Sequence, residues 1–115
     1  MILTEKKVIF HLHDEEKAVT AISNVINLIK YLGEENTEIE LLMNGDGVNM
    51  MLKGSEHERK LDYLLEKGVK FSVCSNSLSA LDFSEDEILD LAEIVPSGVG
   101  ELVEKQDEGW NYIKV

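Results

Sequence analysis

Apolar residues run along this chain in two alternating styles, short continuous stretches and helical stripes. Lys7 to Leu12 is the first continuous stretch, with Val8, Ile9, Phe10 and Leu12 apolar on both faces, the pattern of a strand covered on both sides. Ala18, Ile22, Val25, Ile29 and Leu32 then fall on one stripe of a helix that Gly33 should close. Asp14 is its expected N-cap, with Glu15 and Glu16 placed to complement the dipole. A second strand spans Glu38 to Met43 and stops at the turn Asn44-Gly45-Asp46-Gly47. Val48-Asn49-Met50-Met51-Leu52 does not alternate, so a short helix is expected there rather than the return strand of a hairpin.

Further along, Ser55 and Glu58 have capping-box spacing ahead of a helix with Leu61, Leu64 and Leu65 as its apolar face and Gly68 at its end. Val69 to Val73 reads as a third strand, ending at Cys74, after which Ser75, Asn76 and Ser77 begin a short helix. Ser84 and Glu87 repeat the box before Ile88, Leu89 and Leu91. Ile94-Val95 forms a short strand closed by Pro96, and Ser97 caps a helix carrying Val99, Leu102 and Val103 despite Gly98 and Gly100. Gly109 opens a terminal strand, Trp110 to Ile113.

Five strands alternating with four helices define an α/β fold, with a largely parallel sheet between helical layers and one domain over residues 1–115. Right-handed crossovers place every β-to-α turn on one edge of that sheet. Three segments distant in sequence then converge: His11, His13 and Asp14; Asn44, Gly45 and Asp46; Cys74, Ser75 and Asn76. In open α/β sheets ligands bind along this edge.

Composition narrows the function. A formal charge of −12, from 23 acidic and 11 basic side chains, argues against nucleic acid, whose phosphates need clustered Lys and Arg, and against an anionic membrane surface. The segment Met1 to Lys7 lacks a secretory h-region, and no apolar run approaches the roughly 20 residues of a membrane span. A cytoplasmic, reducing setting is expected, where a free thiol persists.

Cys74 is the only cysteine, which removes intramolecular disulfides, four-thiolate zinc and C-x-x-C chemistry from the monomer. At the carboxyl end of a strand and the amino end of a helix, backbone N–H groups and the helix dipole favour its thiolate. The bland alternative is a small buried hydrophobe. His11 and His13, two apart on a strand, point the same way. With Cys74 they would make a three-ligand metal set, but H-x-H is short and no further ligand has matching spacing, so no metal or cofactor is expected. A histidine beside Cys74 would instead hold a proton or pair with the thiolate. His57, in the first turn of a helix, reads as solvated. Phosphate-loop, dinucleotide and serine-hydrolase motifs are missing. Met43, Met50 and Met51 cluster around the second turn; core filling is the plainer role for them, a contact patch for a second copy the sharper one.

The segment Gly68-Val69-Lys70-Phe71-Ser72-Val73-Cys74-Ser75-Asn76-Ser77-Leu78 resembles the cysteine segment of small DsrE/DsrF-like (YchN-like) proteins. The tail from Val95-Pro96-Ser97-Gly98-Val99-Gly100-Glu101-Leu102-Val103 through Gln106, Gly109, Trp110, Tyr112 and Ile113 is similar to that family's C-terminus, and Phe10-His11 and Asn44-Gly45 fit its first two strand ends. The resemblance implies a three-layer α/β/α fold on a five-stranded sheet, and homo-oligomers, usually trimers or hexamers. It implies a sulfur-relay role in which Cys74 carries sulfane sulfur as a persulfide between donor and acceptor proteins. Asn76, Ser77 and backbone N–H groups would hold the anionic sulfur, with His11, Asn44, Gly45 and Ser75 around it. The rival reading is a non-catalytic oligomeric binding or regulatory module with a small-ligand pocket at the same edge.

Overall fold

The structure, a computed structural model, describes residues 5–115; the expectation that no leader segment is present falls partly on residues 1–4, outside them. The five strands are β1 (Lys6–Leu12), β2 (Thr37–Met43), β3 (Lys70–Cys74), β4 (Ala92–Val95) and β5 (Asn111–Lys114). The helices are α1 (Ala18–Leu32), α2 (Glu58–Glu66), α3 (Ser75–Ala80) and α4 (Gly98–Asp107). The sheet order is β4-β3-β2-β1-β5 and every pairing is parallel. The alternating α/β pattern read from the sequence is therefore the fold, with helices on both faces.

The direction of the crossovers decides which face each helix covers. From β1 through β4 the chain steps one way across the sheet, so right-handed connections put α1, α2 and α3 on one face. The step from β4 back to β5 reverses, which sends α4 to the other. The packing agrees: Val8, Phe10, Leu12, Ile39, Leu41, Met43, Phe71 and Val73 share one core with Ile22 and Val25 of α1, Leu61 and Leu64 of α2 and Leu78 of α3. The opposite face holds a smaller core of Ile9, Leu42, Val95, Leu102 and Trp110. Because strand side chains alternate, Glu40, Ser72 and Cys74 lie on this second, thinly covered face.

Local details depart from the sequence reading at several caps. Asp14 makes no side-chain cap bond; a 3₁₀ turn, Glu15–Lys17, precedes α1, and Asp46 Oδ1 accepts the Glu15 N–H at 2.8 Å instead. The Ser55 hydroxyl accepts from the His57 N–H at 3.1 Å, so no Ser55–Glu58 box opens α2, and Leu65 is 44% exposed rather than part of the apolar face. The Ser84–Glu87 box is formed, but it encloses a 3₁₀ turn, Glu85–Glu87. Ser97 caps α4 as expected, its hydroxyl accepting from Gly100 N–H at 3.0 Å. The segment after β2 is a 3₁₀ turn over Gly45–Met51, which tucks Met50 and Met51 inside at 1% and 0% exposure. They fill the core, and a contact patch built on them is ruled out. His57 is not solvated either: its side chain is 15% exposed.

Candidate functional site

The carboxyl edge of the sheet brings together what the topology promised. Leu12 O accepts the Asn44 N–H at 3.1 Å, fixing the end of β2 beside the end of β1. Both imidazoles then meet the Asn44 side chain: His11 Nε2 lies 2.8 Å and His13 Nδ1 3.0 Å from Asn44 Oδ1. An amide oxygen only accepts, so each ring donates there. Burial holds His11 below its ordinary pKa, outweighing the Asn44 bond that favours the charged ring; Lys114 and His13 add to the lowering. A neutral His11 that donates from Nε2 must accept at Nδ1, and the Tyr112 hydroxyl stands 2.7 Å from it.

The neighbouring half of the site is built on Cys74, 5% exposed at the end of β3. Burial pushes its thiol up, but hydrogen bonds outweigh this and leave it below its ordinary value. The Ser77 hydroxyl is the largest of these, followed by the backbone N–H groups of Gly98, Ser77 and Asn76. The Gly98 N–H donates to Sγ at 3.2 Å. Two helix beginnings, α3 and α4, thus point N–H groups at one sulfur, the arrangement that favours a thiolate. Ser77 also joins the halves, since its hydroxyl accepts the Gly45 N–H at 2.8 Å.

The approach of α4 depends on glycine. A Cβ on Gly98 would stand 3.1 Å from Cys74 Cβ and 3.4 Å from both Cys74 Sγ and Asn44 Cβ. The bare Cα lets the helix come close enough for its first N–H to reach sulfur. Gly45, at φ +55°, faces the His13 ring in the same way.

Of the residues expected from the sequence, His11, Asn44, Gly45, Cys74 and Ser77 form one connected network. Asn76 contributes its backbone N–H while its residue stays exposed, and Ser75 starts α3 half-buried without being among the groups that reach Sγ. His13 turns to Asn44, and among the described residues no three His, Cys, Asp or Glu side chains gather as a metal site, so the His11–His13–Cys74 ligand set is not assembled. Gly98 and Tyr112 were missed as site residues. A glycine just inside a Ser-capped helix, where it lowers helix propensity, was the available signal for the first; nothing local marks the second, which lies 101 positions from His11.

Residues 6–115 match the DsrE/DsrF-like family. The chain belongs to that family. That family is associated with sulfur relay in general. The chain is 37% identical to MTH1491, a protein of unknown function from Methanobacterium thermoautotrophicum, whose structure superposes with a TM-score of 0.90 over 96% of this chain and 100% of that one. The ychN protein from E. coli shares the fold at 18% identity and a TM-score of 0.79, covering 97% and 100% of the two chains. BT1422 from Bacteroides thetaiotaomicron, a conserved protein of unknown function, does so at 12% identity and a TM-score of 0.75, over 96% and 95%. No curated protein matches the chain. Among the described residues no helix is long and apolar enough to cross a membrane.

Proposed function

We propose that this protein carries sulfane sulfur as a persulfide on Cys74. The observation behind the reading is the Gly98 N–H at the head of α4, which donates to Sγ at 3.2 Å; with the Ser77 hydroxyl and the N–H groups of Ser77 and Asn76 it outweighs the burial of the thiol and draws it toward the anion. In the loading step the Cys74 thiolate attacks the outer sulfur of a donor persulfide. A new S–S bond forms at Cys74, the donor S–S bond breaks, and the donor leaves as a thiolate. In the unloading step an acceptor thiolate attacks the outer sulfur on Cys74 and Cys74 departs as the thiolate. Neither step needs an oxidant, and one cysteine suffices. The N–H groups of Asn76, Ser77 and Gly98 stabilise the leaving thiolate, and the Gly45 N–H on the Ser77 hydroxyl ties the His11–Asn44 half of the site to it. A cytoplasmic setting, with donor and acceptor proteins as partners and no nucleic acid or membrane, belongs to the same proposal.

Intact mass spectrometry after incubation with a small-molecule persulfide should show a gain of one sulfur that reductant removes, and Cys74→Ser should abolish the gain while remaining folded. An equal gain in the variant, or none in the wild type, overturns the reading. The second outcome would favour the non-catalytic binding module, which the 5% exposure of Cys74 also fits. A cavity of about 560 Å³ near this edge is lined by Asp14, Glu15, Glu16, Asp46 and Glu56 together with Ala18 and Val19, not by the thiol.

The proposal extends to a homo-oligomer, a trimer or hexamer. Met50 and Met51 take no part in it. The thin α4 layer is the better surface, because Val99 and Val103 on α4 are 63% and 53% exposed and Tyr112 on β5 is 38% exposed. Sedimentation at low micromolar concentration should give a multiple of 13.0 kDa; a monodisperse monomer overturns assembly.

A further inference from the structure

Glu40 is 0% exposed, on β2, facing α4. Its Oε2 accepts the Ser72 hydroxyl at 2.6 Å, while Oε1 is buried with no hydrogen-bond partner among the described residues. Lys70 Nζ on β3 and Lys105 Nζ on α4 stop at 3.9 and 3.8 Å from Oε1, beyond hydrogen-bond reach. Glu93 on β4 engages the same Lys70 at 3.3 Å. On β1 the residue across from Glu40 is Ile9, which carries no charge. The Glu101 carboxyl of α4 shares Lys70 with Glu40, since Lys70 Nζ lies 3.9 Å from Glu101 Oε2 as well, and it helps to raise the Glu40 pKa. Two ionised carboxylates repel, whereas a proton on one of them lets it donate to the other.

Glu101 lies in the first turn of α4, the turn that begins with Gly98 and its N–H on Cys74 Sγ. We propose that Glu40 is a positioning residue for Cys74: the proton it shares with Glu101 clamps the first turn of α4 to the sheet and so holds the Gly98 N–H on the sulfur. The use of this clamp rests on the persulfide reading, but the clamp itself does not. Burial, and then the Glu101 carboxyl, push the Glu40 pKa up to about 7, so the shared proton is lost near neutrality. Two carboxylates are then left with Lys70 and Lys105, among the described residues, to offset them. The first turn of α4 draws back, the Gly98 N–H recedes, and the thiol both loses a stabilising donor and becomes more accessible to a partner.

Two titrations of the wild type, Glu40→Gln and Glu101→Gln test this. One follows the Gly98 backbone amide by NMR, and the other follows the Cys74 thiolate by its ultraviolet absorbance. In the wild type the Gly98 amide should shift with a midpoint near 7. In both variants that transition should vanish, and the thiol midpoint should fall by about half a pH unit as the N–H stays in place. Glu101→Gln breaks the same pair from a partly exposed side chain, so the test survives if Glu40→Gln does not fold. A static Gly98 amide in the wild type, or an unaltered transition in the variants, overturns the proposal. A lowered thiol midpoint with a static amide also overturns it, leaving only a direct charge effect. Absence of persulfide loading with the Gly98 transition intact would sink the function and spare the clamp.

Discussion

Gly47→Ala should destabilise the protein by about 2–3 kcal/mol, the usual cost of forcing extra volume into a packed site. A Cβ at Gly47 would stand 2.5 Å from Leu12 O and 3.0 Å from Leu12 C. Those are backbone atoms of β1, which no rotamer change moves aside. Leu12 O also accepts the Asn44 N–H, and the Gly47 N–H donates to His13 O at 3.0 Å and Asn44 O at 3.1 Å. Relieving the clash therefore separates the ends of β1 and β2, loosening three backbone hydrogen bonds and the Asn44 amide that receives both imidazoles. Gly54→Ala is the matched control: at φ +87° it strains the backbone, but nothing lies within 4 Å of its Cβ, so about 1 kcal/mol is expected. Urea denaturation of both variants checks the difference. Equal losses would show that conformational preference, not the contact with β1, decides the cost at Gly47.

The contrast between these glycines also explains which parts of the structure were legible in the sequence. β1, α1, β2 and β3 announce themselves because each buries a contiguous or periodic set of side chains, and burial acts on every residue of the pattern at once. The edge site followed from topology alone, since parallel strands with right-handed crossovers must gather their carboxyl ends. Caps were less reliable. Ser84–Glu87 and Ser97 formed as spaced, yet Ser55–Glu58 did not and Asp14 lost its role to Asp46. A cap needs one side chain and one N–H, so a single competing partner redirects it. Met50 and Met51 could not be sorted between surface and core from composition, because the 3₁₀ turn that buries them is set by the close packing of Gly47 on β1. Gly98 and Tyr112 depend on where α4 and β5 dock, which no local pattern records. Glu40 is the sharpest case: nothing in the pattern Glu38-Ile39-Glu40 marks a buried carboxyl, yet its exposure is 0%.

That buried carboxyl sets the pH dependence of the whole fold. Its folded-state pKa is raised from 4.5 to about 7, by burial first and then by Glu101, against the opposing pull of the Ser72 bond and Lys70. A raised acid binds its proton more tightly folded than unfolded, so its contribution to stability is fully present below 4.5. That contribution is lost as pH rises through about 7. At about 1.4 kcal/mol per pH unit of displacement the loss amounts to about 3 kcal/mol by mildly alkaline pH. Lys70, whose own pKa is raised because Glu40, Glu93 and Glu101 outweigh its burial, stays charged throughout this window and does not reverse the slope. Glu40→Gln keeps the shape, an oxygen to accept from Ser72 and an amide N–H to offer Glu101, without a proton to lose. The variant should match the wild type near pH 5 and melt about 10 °C higher near pH 8.5, by the usual conversion for a chain of this size. Thermal melts followed by circular dichroism across that range decide it. Parallel pH profiles for the two proteins would mean that Glu40 is ionised throughout, with Lys70 and Lys105 neutralising it despite their distance.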